Sequence, residues 1–252
     1  MSRPSLLDRM RTRLTVCHPV LDATNGPCLV LGSAPDPVLP AGHAVHWTFV
    51  SVNASQAGAA KAGIQRIPDL TVMSGQMLGI KPENLAGQEA LRDGCTTQLL
   101  LVERGVSARQ ARPALRALNY RYGALRTMDH WQRASLTYRL LGEHLATGSG
   151  ESKISTGVFA ALLAASLGYG PIVMCGFSLS HDGHSYNPLG HRRQHREVDA
   201  HALRMFGEKR LAVFTSDPAF AKSSGLPLWD GSHRPTVRSG PIWSDPSPSL
   251  QT

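Results

Sequence analysis

Apolar residues along this chain fall into short runs separated by longer stretches with helical spacing. The runs cover residues 27–31, 47–52, 70–73, 97–102, 172–175 and 211–214. Each has the length of a strand, and apolarity with little polar alternation marks strands buried on both faces. Helical patterns lie between them at residues 55–63, at two places within 104–150, at 158–167 and from about 190 to 207. A short one after Asp217 finishes the series. Strands alternating with helices predict an α/β fold: a mainly parallel, doubly wound (Rossmann-like) sheet flanked by helices. In such a sheet Gly32, Asn53 and Ser74, which follow the first three runs, emerge on one carboxyl edge.

The stretch from Ser152 to Tyr186 is the most informative. A polar turn, Lys153-Ile154-Ser155-Thr156-Gly157, leads into an Ala/Leu-rich helix that Gly168, Gly170 and Pro171 stop. The run Ile172-Val173-Met174-Cys175 follows and opens into a loop rich in Gly, His, Ser and Tyr. Open α/β sheets place ligands at the carboxyl ends of their strands. Ser155 or Thr156 would stand at the helix N-terminus, where free backbone N–H groups and the macrodipole favour a phosphate. A simple N-cap is the commoner role for either residue. Upstream, Leu31-Gly32-Ser33-Ala34-Pro35 reads as a strand entering a glycine turn, although it lacks G-x-G-x-x-G. Gly32 would let the backbone approach a ligand, and Ser33 could donate to one. Asn53 suits a base edge or ribose as well as it suits a turn.

Charge narrows the partners. With 26 Lys+Arg against 18 Asp+Glu the formal charge is +8, which fits an anionic substrate, a bilayer surface or nucleic acid. Arg104, Arg109, Arg112, Arg116, Arg121, Arg126, Arg133 and Arg139 cluster in residues 104–150 with Tyr120, Tyr122, Trp131 and Tyr138 among them. That stretch reads as a helical lid or insertion, or as a solvated basic helix pair. Cys17, Cys28, Cys95 and Cys175 have no C-x-x-C spacing and read as reduced thiols of a cytoplasmic protein. No apolar stretch reaches membrane-spanning length. Residues 1–26 form a basic segment whose Leu6, Leu7, Met10 and Leu14 would lie on anionic lipid or pack on the domain. The organisation is thus a basic segment, one α/β domain over residues 27–222, and a Pro/Ser-rich tail from 223 to 252.

The central stretch resembles the sialyltransferases of glycosyltransferase families 42 and 29. Lys153, Ser155-Thr156-Gly157, Leu167-Gly168-Tyr169, the strand 172–175 and the loop from Gly176 to Ser185-Tyr186 follow the family 42 order. Ser155-Thr156-Gly157 and Gly176-Phe177 echo the small motif of family 29. The resemblance implies the GT-A-like variant of the fold and a CMP-activated acidic sugar as donor, sialic acid or a related ulosonic acid such as Kdo. It implies inversion, no metal or other cofactor, and a histidine base. Lys153 and Tyr186 would then face the departing phosphate. Gly32, Ser33, Ala34, Asn53, Ser74, Ser155, Thr156, Gly157, Gly176 and Ser180 would line the nucleotide site. Ser180 stands where the family has a tyrosine, and Ser74 where it has an asparagine. The base falls to His195, four residues before Asp199, or to His191, eight before it.

The chemistry agrees with those residue types. Deprotonating an acceptor hydroxyl calls for a group titrating near neutrality. Departure of CMP builds negative charge that N–H groups and a lysine stabilise. The chain has no D-x-D for a metal-bound diphosphate. His181, His184, His191 and His195 also raise a metal site, but no second ligand pair is spaced to close one. The expected partners are a nucleotide-sugar donor and a glycan or glycolipid acceptor, at or near the inner face of a membrane. A homo-oligomer stays open. A pyrophosphokinase or phosphotransferase on a similar sheet is the alternative. Scattered arginines without a helix-turn-helix, zinc-finger or RRM signature argue against nucleic acid.

Overall fold

The computed structural model describes residues 26–43, 45–102, 107–145, 153–186 and 195–232. The basic N-terminal segment, the 147–150 connector, His191 and the chain beyond residue 232 lie outside them. Seven strands form one sheet: β1 (Cys28–Leu31), β2 (Thr48–Val52), β3 (Leu70–Ser74), β4 (Cys95–Val102), β5 (Arg121–Met128), β6 (Ile172–Cys175) and β7 (Val213–Thr215). All neighbours pair in parallel, in the order β5-β4-β3-β2-β1-β6-β7. The expected α/β sheet is therefore present. Chain progression reverses between β1 and β6, so the crevice at their carboxyl ends is the topological switch point.

Among the described residues six α-helices flank the sheet: α1 (Pro82–Leu91), α2 (Ala108–Ala117), α3 (His130–Leu141), α4 (Thr156–Ser166), α5 (Arg196–Glu208) and α6 (Pro218–Ser224). Every residue of α4 is buried, as expected of a helix apolar all round. It packs across β1, β2, β3 and β6 and forms the centre of the largest apolar cluster, with α3, α5 and α6 around it. The opposite face of the sheet carries two smaller clusters. One gathers Phe49, Phe214, Trp47 and Trp229, and the other Met73, Leu91, Leu101 and Leu115. Trp229 donates its indole N–H to Ala41 O at 2.8 Å, so the chain just beyond α6 is fastened to this second face.

Three local expectations are corrected. Residues 104–150 hold a strand between their two helices: β5 extends the sheet beside β4. Its exposure alternates around arginines, because an edge strand can keep polar side chains in water, and that disguises it among helical spacings. The helix expected over 55–63 is a short 3₁₀ turn, Ser55–Gly58, followed by further turns. The helix α1 was not anticipated at all.

Candidate functional site

At the switch point the turns after β1 and β6 interlock through their backbones. Gly32 N–H donates to Cys175 O and Ala34 N–H to Gly176 O, each at 2.8 Å. A Cβ on Gly32 would lie 2.4 Å from Gly176 O, and Gly176 itself has φ +69°, a conformation natural to glycine. The two glycines therefore bring the turns closer than side chains would allow. Ser33, at the apex, makes two further links to the end of the β6 loop. Its carbonyl accepts from Ser185 N–H at 2.7 Å, and its Oγ lies 2.6 Å from His184 Nδ1. The His184 ring stacks on Tyr186 with centroids 5.1 Å apart and planes 6° from parallel. Tyr186 in turn packs against the Met77 and Leu91 cluster.

An open hollow of about 470 Å³ lies beside these contacts, between the β1 turn and the segment that follows β2. Gly32, Ala34 and Ser55 line it with His184 and Ser185, and Lys61 and Asp36 supply its charged groups. Small-ligand sites in α/β proteins have this position and scale.

The tip of α4 approaches the same turns from the other side of the sheet. Phe177 is wedged between them: its ring would stand 3.0 Å from a Cβ on Gly32 and 2.4 Å from one on Gly157. Ser155 is the N-cap of α4, its Oγ accepting from Val158 N–H at 3.2 Å. The capping role expected of Ser155 is therefore present, and it uses the oxygen as acceptor while leaving the O–H as a donor. The Ser155 backbone N–H is taken by Asp199 Oδ1 at 2.7 Å. Thr156 and Gly157 follow as the first two helical residues, whose amides have no intrahelical acceptor. Lys153 is half-buried just ahead of this tip.

His195 caps the start of α5, half-buried, and its carbonyl accepts from Asp199 N–H at 2.8 Å. Asp199 therefore ties the His195 backbone to the α4 tip. The next residue, Arg196, reaches back to the β6 loop, donating to Ser180 O at 3.1 Å and to Asp182 Oδ1 at 2.5 Å. Ser180 is exposed, its hydroxyl 3.2 Å from Ser178 Oγ, and it does not line the hollow. Asn53 and Ser74 form a pair further along the edge. Asn53 Oδ1 accepts from Ser74 N–H at 2.8 Å, and Ser74 Oγ accepts from Gln76 N–H at 3.3 Å.

The structure thus gathers Gly32, Ser33, Ala34, Gly176 and Gly157 with the Lys153–Thr156 tip, and joins Tyr186 to them through His184. Asn53 and Ser74 stand on the same edge and bond to each other, while Ser180 stays outside. Sequence reasoning missed the part of Lys61, Phe177 and Arg133, and took His184 only as a candidate metal ligand. Among the described residues no group of three His, Cys, Asp or Glu side chains is placed to hold a metal ion.

No protein-family model matches the chain, and no curated protein matches it. Solved structures do. The monofunctional alpha-2,3-sialyltransferase Cst-I from Campylobacter jejuni matches with a TM-score of 0.54 over 92% of this chain and 93% of its own, at 11% identity. The sialyltransferase CstII from Campylobacter jejuni, in its complex with cytidine-5'-monophosphate, gives 0.51 over 81% and 84% at 12% identity. An alpha-2,3-sialyltransferase of the same organism in apo form gives 0.50 over 83% and 82%, again at 12% identity.

The chain has the fold of these sialyltransferases.

Identity that low transfers the path of the backbone and not the side chains, so activity has to be argued from this chain's own residues. Their electrostatics favour an anion. The positive end of the α4 macrodipole and the buried guanidinium of Arg133 meet at one tip, where the Asp199 carboxylate accepts from Ser155 N–H.

Proposed function

We propose that this chain is an inverting glycosyltransferase that moves an acidic sugar from a CMP-activated donor to a hydroxyl of a glycan or glycolipid acceptor. The observation that carries the proposal is the hollow at the carboxyl edge of the sheet, lined by the turn after β1, the segment after β2 and the His184–Ser185 end of the β6 loop, in a fold that CstII shares in its complex with cytidine-5'-monophosphate. In this reading the nucleoside fills the hollow beside Gly32, Ala34 and His184. Its phosphate turns toward the Thr156–Gly157 amides and Lys153. Asn53 and Ser74, on the neighbouring strand ends, flank the nucleotide.

The acceptor oxygen attacks the anomeric carbon from the face opposite the phosphate. A new carbon–oxygen bond forms there as the bond to the phosphate oxygen breaks, inverting the centre. The acceptor's proton passes to an imidazole, His195 being preferred and His191 the alternative. The electron pair of the broken bond goes to CMP, whose added charge Lys153, the α4 amides and the Tyr186 hydroxyl stabilise. The donor sugar is sialic acid or a related ulosonic acid such as Kdo, and the reaction proceeds without a metal. Among the described residues no helix is long and apolar enough to cross a membrane. We place the reaction on the cytoplasmic side, at or near the inner face of the membrane, as a step in building a surface polysaccharide.

The test is release of CMP from CMP-Neu5Ac and from CMP-Kdo by the purified full-length chain, each with and without EDTA. One donor should be consumed at a rate EDTA does not change, and His195→Ala should abolish turnover while CMP still binds. No CMP from either donor, with or without a panel of sugar acceptors, would overturn the proposal.

A further inference from the structure

Arg133 of α3 and Asp199 of α5 are both buried, at 2% and 7% exposure. They meet the chain at one place. Arg133 Nη2 donates to the Ile154 carbonyl at 2.5 Å, and Asp199 Oδ1 accepts from Ser155 N–H at 2.7 Å. Those two groups belong to the same peptide bond. One peptide unit is thus gripped at its oxygen by a cation and at its hydrogen by an anion, from two different helices. Charge-assisted bonds of this kind are stronger and more directional than neutral ones. The guanidinium also lies 4.9 Å above the centre of the Phe159 ring, on α4 itself, so Arg133 holds that helix at two points.

A cation at the positive end of a helix is unfavourable alone, and the carboxylate offsets it. Asp199 is itself fixed in the first turn of α5, its backbone N–H donating to the His195 carbonyl, so its carboxylate ties that turn to the α4 tip. We infer that Arg133 and Asp199 form a positioning clamp, which sets the α4 tip and the start of α5 in register. By occupying the Ser155 amide, Asp199 directs an incoming phosphate to Thr156 and Gly157. The pair acts through the groups it holds, and its kinetic consequence rests on the function proposed above.

The clamp is tested in the full-length chain with Asp199→Ala, Asp199→Asn and Arg133→Lys. Asparagine keeps an acceptor oxygen for Ser155 N–H, whereas alanine leaves that amide unbonded. Displacement of a binding turn by an ångström costs up to about a hundredfold in rate. Asp199→Ala should therefore raise the donor KM about tenfold and lower kcat about tenfold, since tip and histidine shift together. Asp199→Asn should return both to within about threefold of the parent, and Arg133→Lys should raise KM even where Asp199→Ala does not fold. Hydrogen exchange gives a readout independent of turnover: Asp199→Ala should lose protection at the Ser155 amide, whose acceptor it removes, while Asp199→Asn should keep it. A folded Asp199→Ala with unchanged KM, kcat and exchange overturns the clamp, and so does an Asp199→Asn as impaired as alanine. A parent protein inert toward every donor, with exchange in Asp199→Ala rising as expected, overturns the proposed reaction and leaves the clamp standing.

Discussion

Asn53 stands at the corner where β2 ends, and its substitution separates two energies in one position. The residue has φ +52°, and its Oδ1 accepts from Ser74 N–H at 2.8 Å across to the end of β3. Asparagine tolerates the left-handed region because its short side chain bonds locally; alanine there costs about 1 kcal/mol. Losing the bond adds about 1 kcal/mol, since Ser74 is nearly buried and its N–H has little access to water. Asn53→Ala should therefore lose about 2 kcal/mol, or about 4–8 °C in Tm for a domain of this size. Asn53→Gly also loses the bond but adopts the backbone angle freely, so it should lose only about 1 kcal/mol. Urea unfolding followed by the fluorescence of buried Trp47 and Trp229 measures both. Equal stability of the Ala and Gly variants would refute the backbone argument, and parent-like stability of both would refute the bond. Repeating the melts with saturating CMP adds a functional reading. If Asn53 also touches the nucleotide, both variants should lose part of the stabilisation that the ligand gives the parent.

Three further outcomes are expected. Gly32→Ala puts a methyl group 2.4 Å from a backbone oxygen that cannot rotate away, and overpacking of this kind costs about 1–3 kcal/mol; CMP affinity should fall with it. Gly157→Ala meets the Phe177 ring instead, so Phe177→Leu should recover much of its loss and should not recover Gly32→Ala; differential scanning calorimetry of the two double variants checks this. Burial pushes the Cys175 thiol up to about 12 and raises that of Cys28, so neither should be alkylated by iodoacetamide at pH 8 in the folded protein. Rapid labelling of either, located by mass spectrometry, would contradict their burial.

How far the sequence could be read depended on whether a structural reason was local. The strands β1, β3 and β6 are buried on both faces, so they appear as short apolar runs, and the glycines that let their turns interlock are visible beside them. Strand β5 lies at the edge, where Arg121 and Arg126 remain in water, and its residues satisfy a helical spacing about as well as an extended one. Helix α1 escaped for a related reason: it packs through scattered positions such as Leu91, with Leu85 half exposed, and offers no apolar stripe.

The candidate site divides in the same way. A cap or a glycine turn acts within a few residues and leaves a short motif, which is why Ser155-Thr156-Gly157 and Gly176 could be picked out. The bonds that assemble the site span far more chain: 21 residues from Arg133 to Ile154, 44 from Ser155 to Asp199 and 151 from Ser33 to His184. No periodicity records such a pairing. The two readings open for the α4 tip, a cap or an anion site, excluded each other only while one residue was asked to do both. Ser155 Oγ serves Val158, and Asp199 serves the Ser155 amide. The first-turn amides that can still face an anion belong to Thr156 and Gly157, beside the glycine turns they pack against through Phe177. A helix start can thus be fully capped at one residue and electrostatically open at the next two. That is the arrangement an anionic donor needs if the turn receiving it is to be rigid before it arrives.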